Sequence, residues 1–282
     1  MASIGTKKGI EKAQGGLSRR SMKDGEVIAS KFHRDVLAGE HLFYRGKGQP
    51  LLFLADLSGV AAGTDNVGAV AVLPGVNAHL HFTPIGTVTT APYGPAADAA
   101  GLDLSLDQTN AEGVNYIPGG LLGPWLTTVK RDIGDPIPRG TFIRWKGILE
   151  DVSGVAELAI GFRKNEAVQA AFDDYADAAA LNVLAGDIKR ETIVGGAATV
   201  TVDTVLNWAD TETHEILVIC HGNGKVEFFV DGLTAPSGAA YQFTEDLAVV
   251  PFIYFLQGSD ISGKVNTKEF EVGFLEQIGR KE

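Results

Sequence analysis

Residues 214–236, HEILVICHGNGKVEFFVDGLTAP, read as a β-hairpin, and the rest of the chain is interpreted from it. On the first strand Ile216, Val218 and Cys220 fall on one face, and Leu217 and Ile219 on the other. A strand apolar on both sides is expected to be covered on both. Gly222-Asn223-Gly224 supplies residues that tolerate positive φ, which a tight strand reversal requires. The second strand alternates, with Val226, Phe228 and Val230 opposite Lys225, Glu227 and Asp231. One of its faces therefore meets water or a polar groove. Asp231-Gly232 is a further turn signal. A two-layer β architecture follows more naturally from this stretch than a helical one.

The chain of 282 residues is long for one average domain and short for two. All-β sandwiches reach about 200–250 residues as one unit, so a sandwich with added segments is expected. Thirty-five glycines suit many turns. No apolar run approaches the roughly 18 residues that span a bilayer, so no membrane partner is expected. The stretch MASIGTKKGIEKAQGG lacks an apolar core after its charges and does not read as a signal peptide. The single cysteine, Cys220, forms no intrachain disulfide and reads as a small buried residue of a protein made in a reducing cytosol.

Charge is unevenly spread. Residues 1–50 hold ten Lys/Arg against five Asp/Glu, about +5, whereas the whole chain carries −11, which leaves the remainder near −16. Residues 1–24 form an extended basic arm with Lys7, Lys8, Lys12, Arg19, Arg20 and Lys23 and no core-forming periodicity. Such an arm suits docking along an acidic groove of a partner. A nucleic-acid partner is not expected, because the arm also carries acids and few aromatics, and the acidic body repels phosphate.

Residues 25–100 contain short strand-like runs, among them 26–33, 41–45, 51–57, 68–73 and 79–85, broken by Gly and Pro, and read as a β-rich docking segment. Residues 94–101 look like a connector. Residues 101–282 carry regular strand candidates with turns every 8–12 residues, as in a sandwich or jelly roll. Residues 166–178, EAVQAAFDDYADA, are rich in helix formers and are expected to make one short crossing helix. No fixed-period repeat is present.

The order of segments from Phe142 resembles concanavalin A-like jelly rolls of the laminin G and glucanase type. The residues that carry the resemblance are ELAIGFRK (157–164), DDYAD (173–177), ALNVLAGDIKRET (180–192) and NWADTETHEILVICHGNGKVEFFVDG (207–232), with VVPFIYFLQGSD (249–260) and KEFEVGFLEQ (268–277) as closing strands. The combination is similar to structural proteins of tailed-bacteriophage virions that carry such a domain. The resemblance implies an all-β, two-sheet jelly-roll sandwich over residues 101–282, preceded by the arm.

Spacing separates the candidate sites. Glucanases of the fold place carboxylates at i, i+2 and i+4 of one strand, and a retaining pair lies about 5–5.5 Å apart. Glu227 and Asp231 share a face but are separated by about 13 Å of strand. Asp210-x-Glu212-x-His214 has better spacing yet precedes its strand and departs from Glu-x-Asp-x-Glu, so hydrolysis and catalytic residues are not expected. Asp56-Leu-Ser58 has no nucleophile elbow. His79-x-His81 puts two imidazoles on one strand face without a placed third ligand. Asp173, Asp174 and Asp177 supply oxygens without the spacing of a calcium loop. Neither a metal nor a cofactor is expected. Trp125, Trp145, Trp208, Tyr116, Tyr175 and Tyr241 are core residues or, alternatively, a sugar-stacking platform. The set singled out for a glycan is Trp208, Tyr175 and Asp177.

These readings lead to a non-enzymatic virion structural protein, a capsid decoration or cement protein made in the bacterial host cytoplasm. It is expected to bind the major capsid protein through its arm and to form a homo-oligomer such as a trimer. The alternative is a lectin-like adhesion module of a head or tail fibre that binds a host surface glycan, and the third option is a glycoside hydrolase.

Overall fold

The computed structural model describes residues 43–44, 70–72, 79–86, 96–98, 101–105, 108–118, 126–131, 140–235, 238–259 and 263–275. The arm and its six basic residues, the strand-like runs at 26–33 and 51–57, and Trp125 lie outside the described residues. In chain order the strands are β1 (Phe43–Tyr44), β2 (Val70–Val72), β3 (His79–Ile85), β4 (Ala96–Asp98), β5 (Gly101–Asp103), β6 (Gly113–Tyr116), β7 (Thr127–Thr128), β8 (Thr141–Leu149) and β9 (Val155–Lys164). They continue with β10 (Ala178–Leu184), β11 (Asp187–Ile193), β12 (Val200–Asn207), β13 (Thr213–Cys220), β14 (Lys225–Val230), β15 (Leu233–Thr234), β16 (Tyr241–Gln242), β17 (Ala248–Gln257) and β18 (Val265–Leu275). The stretch read as a connector thus contributes β4.

The strands form two antiparallel sheets, packed face to face as a jelly-roll sandwich. The first runs β15-β14-β13-β8-β18-β5-β4, with β1 on β18 and β16 on β14. The second runs β12-β11-β10-β9-β17-β6-β3-β2, with β7 on β17. Neighbours such as β8 and β18, or β9 and β17, are far apart in sequence, so the topology rests on non-local pairing.

The 214–236 hairpin forms in the register its alternation demands. Ile216 pairs with Val230, Val218 with Phe228 and Cys220 with Val226, and all six side chains face the interior. At its tip Gly224 has φ +86, and a Cβ there would lie 2.8 Å from the Phe243 carbonyl oxygen, so glycine is required. Between the sheets, Trp145 and Trp208 pack at 5.8 Å, and the Trp145 indole N–H donates to Thr267 Oγ1 at 2.9 Å.

Both outer faces are also occupied. On the first sheet Leu217 and Ile219 are buried with Phe142 and Leu275, as expected for a strand apolar on both sides. Beside them Arg144 donates to Glu215 and lies 2.8 Å from Glu269 and 3.7 Å from Glu271. Burial works against the guanidinium charge, but these three carboxylates raise its pKa on balance.

On the second sheet the cover is residues 165–177, and here the expected helix over 166–178 does not form. The segment is extended except for one 3-10 turn, Phe172–Asp174. Sheet side chains satisfy backbone groups that a helix would satisfy internally. Glu157 accepts the Phe172 N–H, Tyr254 donates to the Ala170 carbonyl, and Arg163 donates to the carbonyls of Lys164 and Glu166. Phe172 and Tyr175, both fully buried, anchor this strap to the sheet. Tertiary packing overrides helix propensity.

Among the described residues β12 is the edge of the second sheet, and it is irregular. Its register against β11 shifts between Ile188 and Lys189, leaving Thr204 and Val205 unopposed. Val205 sits at φ 61, a strained value for a β-branched residue, with its N–H bonded to Asp203.

Candidate functional site

Strand register assembles a cluster on the outer face of the second sheet that no contiguous stretch contains. One cross-strand row runs Tyr254, Ala159, Asn182, Lys189; the next runs Phe252, Gly161, Ala180, Glu191, Thr201. Alternation puts these residues on the side away from the core. The small residues Ala159, Gly161, Ala178 and Ala180 make a trough. Phe252 and Tyr254 form one wall, and Asn182 and Glu191 the other.

The polar wall is rigid. Glu191 Oε2 accepts from Asn182 Nδ2 at 2.8 Å and Oε1 accepts from Thr201 Oγ1 at 3.0 Å. Asn182 is fully buried, and its Oδ1 has no hydrogen-bond partner among the described residues. Thr201 is exposed.

Glu157, half-buried on β9, faces the strap. Burial pushes its carboxyl up to about 7; the Phe172 N–H pulls down, and Glu191, Asp173 and Asp174 push further up. Near neutrality it is therefore present in both forms and can donate or accept a hydrogen bond. At the other end of the trough Arg163 is buried with its guanidinium 4.5 Å from the centre of the Tyr175 ring, and burial lowers its pKa.

None of the three residues singled out for a glycan is exposed on this surface. Trp208 is 2% exposed, held between Trp145 and the edge of His214, and donates to the Glu212 carbonyl. Tyr175 and Asp177 belong to the strap itself: Tyr175 is fully buried against the sheet, and Asp177, 5% exposed, accepts the Gly195 N–H. Trp145, Tyr116 and Tyr241 are core residues. Of the two readings of these aromatics, the described rings take the packing one: Trp145, Trp208, Tyr116 and Tyr241 lie between the sheets and Tyr175 lies beneath the outer surface of the second sheet.

Asp210-x-Glu212-x-His214 is a tied turn. Asp210 accepts the Val152 N–H, Glu212 accepts the Ala209 N–H, and His214 bridges Asp231 at 2.6 Å and Glu212 at 3.2 Å. Glu227 contacts Lys225 and His221 instead of approaching Asp231. His79 and His81 lie on β3, two residues apart, opposite Val72 and Val70. Asp173 accepts from Thr199, away from Asp177. Among the described residues no three His, Cys, Asp or Glu side chains converge to hold a metal.

Glu157, Asn182 and Glu191 escaped the sequence reading because they stand on three strands. The available signal was the alternation of ELAIGFRK, in which Glu157, Ala159 and Gly161 share a face.

No family model and no curated protein matches the chain. Solved structures similar to it include a carbohydrate-binding module from Bacillus subtilis (9% identity, TM-score 0.40, 68% of this chain and 94% of that one). The potassium-bound carbohydrate recognition domain of Emp46p is similar at 6% identity and TM-score 0.46, over 68% of this chain and 88% of that one. An alginate lyase from Pseudomonas aeruginosa is similar at 10% identity and TM-score 0.43, over 66% and 87%. At such identities and scores none of them lends its ligand or its activity to this chain.

Proposed function

We propose that the protein is a non-catalytic, lectin-like sandwich module that takes a neutral or aminated glycan on the outer face of the second sheet, in the trough that the strap covers. The observation that carries the reading is the Asn182–Glu191–Thr201 row, a carboxylate and an amide fixed on paired strands beside the near-neutral carboxyl of Glu157. Sites for small polar ligands use few, rigidly placed groups of this kind. Asp173, Asp174 and Asp203 add exposed acidic groups to the same face, so an anionic uronate chain is disfavoured. Catalysis is disfavoured because both Glu191 oxygens are engaged in hydrogen bonds.

Titration calorimetry with cellotetraose, chitotetraose and laminaritetraose tests this, with an alginate tetrasaccharide as control. Binding of at least one of the first three is expected, weakened roughly 10-fold, about 1.4 kcal/mol, by Glu191→Gln. No heat with any of them, or product release abolished by Glu157→Gln, overturns the reading.

The charge asymmetry of the sequence favours a second reading, a virion structural protein that docks on the major capsid protein through residues 1–24. It requires that a chain beginning near Gly25 fold but fail to co-sediment with particles lacking the protein. Equal co-sedimentation of both forms removes it.

A further inference from the structure

We infer that the strap is a movable cover: residues 165–177 fill, with the rings of Phe172 and Tyr175, the trough that a sugar ring would take, and the half-buried Glu157, which accepts the Phe172 N–H, is its latch. The inference rests on the glycan reading for its purpose, but not for its test.

The fit of strap to trough is specific. Phe172 stacks on Phe252 at 6.2 Å and 14°, and Tyr175 lies 6.0 Å from the same ring. The trough is wide enough for two rings because its floor is Ala and Gly. Backbone bonds hold only the two ends of the strap, where Asn165 donates to the Ala248 carbonyl and the Ala176 and Asp177 carbonyls accept from Gly196 and Lys164. Between these ends the polar attachments are separate side-chain bonds: Glu157 to the Phe172 N–H at 3.2 Å, Tyr254 to the Ala170 carbonyl at 2.6 Å, Arg163 to the Glu166 carbonyl at 2.8 Å, and Thr199 to Asp173. Glu166 in turn accepts the Ala176 N–H at 2.8 Å. A segment attached this way opens as a local unit without unzipping a ladder.

The surroundings of Glu157 make its charge decisive. The strap contributes Asp173, Asp174 and Glu166, and β11 contributes Glu191. On β11 Lys189 is engaged with Asp187, on β9 Arg163 is over Tyr175, and on β17 Tyr254 is neutral, its pKa raised chiefly by burial. The groups acting on Glu157 are one backbone N–H and three carboxylates, with no cation among them. Protonated Glu157 keeps the bond to Phe172 without repulsion, whereas ionised Glu157 places a half-buried charge among like charges. Its pKa is about 7 with the strap closed, against 4.5 ordinarily. Between those values the closed state holds a proton that the open state has lost. Closure is therefore firmest below pH 4.5, weakens as pH rises through the window, and is weakest above 7.

Hydrogen exchange of the full chain from pH 5 to 8, corrected for intrinsic base catalysis, reads this directly. The protection of the Phe172 and Ala176 amides is expected to fall by up to roughly 100-fold relative to the β9 amides, and to stay level in Glu157→Gln. Constant protection in the wild type, or the same slope in Glu157→Gln, overturns the inference. Calorimetry with the three tetrasaccharides at pH 5 and 8 separates the two claims. A pH-dependent strap with no sugar bound at either pH upholds the cover and removes the glycan reading. Equal sugar affinity at both pH values with constant protection removes the cover and leaves the glycan reading standing.

Discussion

The two outer faces of the sandwich are covered by different means. On the first sheet the described side chains belong to the strands themselves. Arg144 on β8 is held by Glu215 on β13 and by Glu269 and Glu271 on β18, beside Phe142, Leu217, Ile219 and Leu275. On the second sheet the cover is a segment brought back between β9 and β10, attached by two rings and a few bonds. Among the described residues, only the second face carries a cover that could leave without breaking strand pairing.

The largest expected effect tests the fixed face. Arg144→Met leaves Glu215 and Glu271 buried without their cation and is expected to cost about 3–5 kcal/mol in urea unfolding. A loss below about 1 kcal/mol would mean that water already relaxes the cluster, and the contrast between the faces would collapse. Phe172→Ala is expected to cost about 3 kcal/mol, the lower end for a buried aromatic truncation. Its mark is local: exchange should rise across 165–177 while β8 and β13 stay protected. Equal exposure of both sheets would show that the strap is integral to the fold.

The smallest effect concerns pH. Burial works against the charge of His214, but Asp231 and Glu212 raise its pKa on balance above 6.5. Its stabilisation is fully present below 6.5 and is lost as pH rises through the folded value. Since His214 is partly exposed, screening keeps this below about 1 kcal/mol. His214→Gln should flatten the pH dependence of the melting temperature above 6.5, whereas Glu157→Gln should flatten it between 4.5 and 7. If either substitution changes the other's window, the two groups are coupled and the faces are not independent.

The hairpin was legible because its information is local. Alternation placed Ile216, Val218 and Cys220 inward, and the double-sided apolarity of its first strand announced the buried Leu217 and Ile219. The strap was not legible. Glu166, Ala167, Ala170 and Ala171 favour a helix by propensity, and what overrules them is a set of partners on other strands: Glu157, Arg163 and Tyr254. The cluster of Glu157, Asn182 and Glu191 was hidden for the same reason. Three strands must be in register before those residues meet. Trp208 misled in the opposite direction, because a tryptophan before a strand reads equally as a ligand platform or as core, and only the packing against Trp145 decides.

The distorted edge of β12 bears on how many copies can be brought together. A straight edge offers a row of amide and carbonyl groups that a neighbouring molecule can zip onto. Here two unopposed residues, Thr204 and the left-handed Val205, bend that row, and Asp203 adds a charge. Crowded side by side, copies of this chain therefore gain little from joining second sheets along β12.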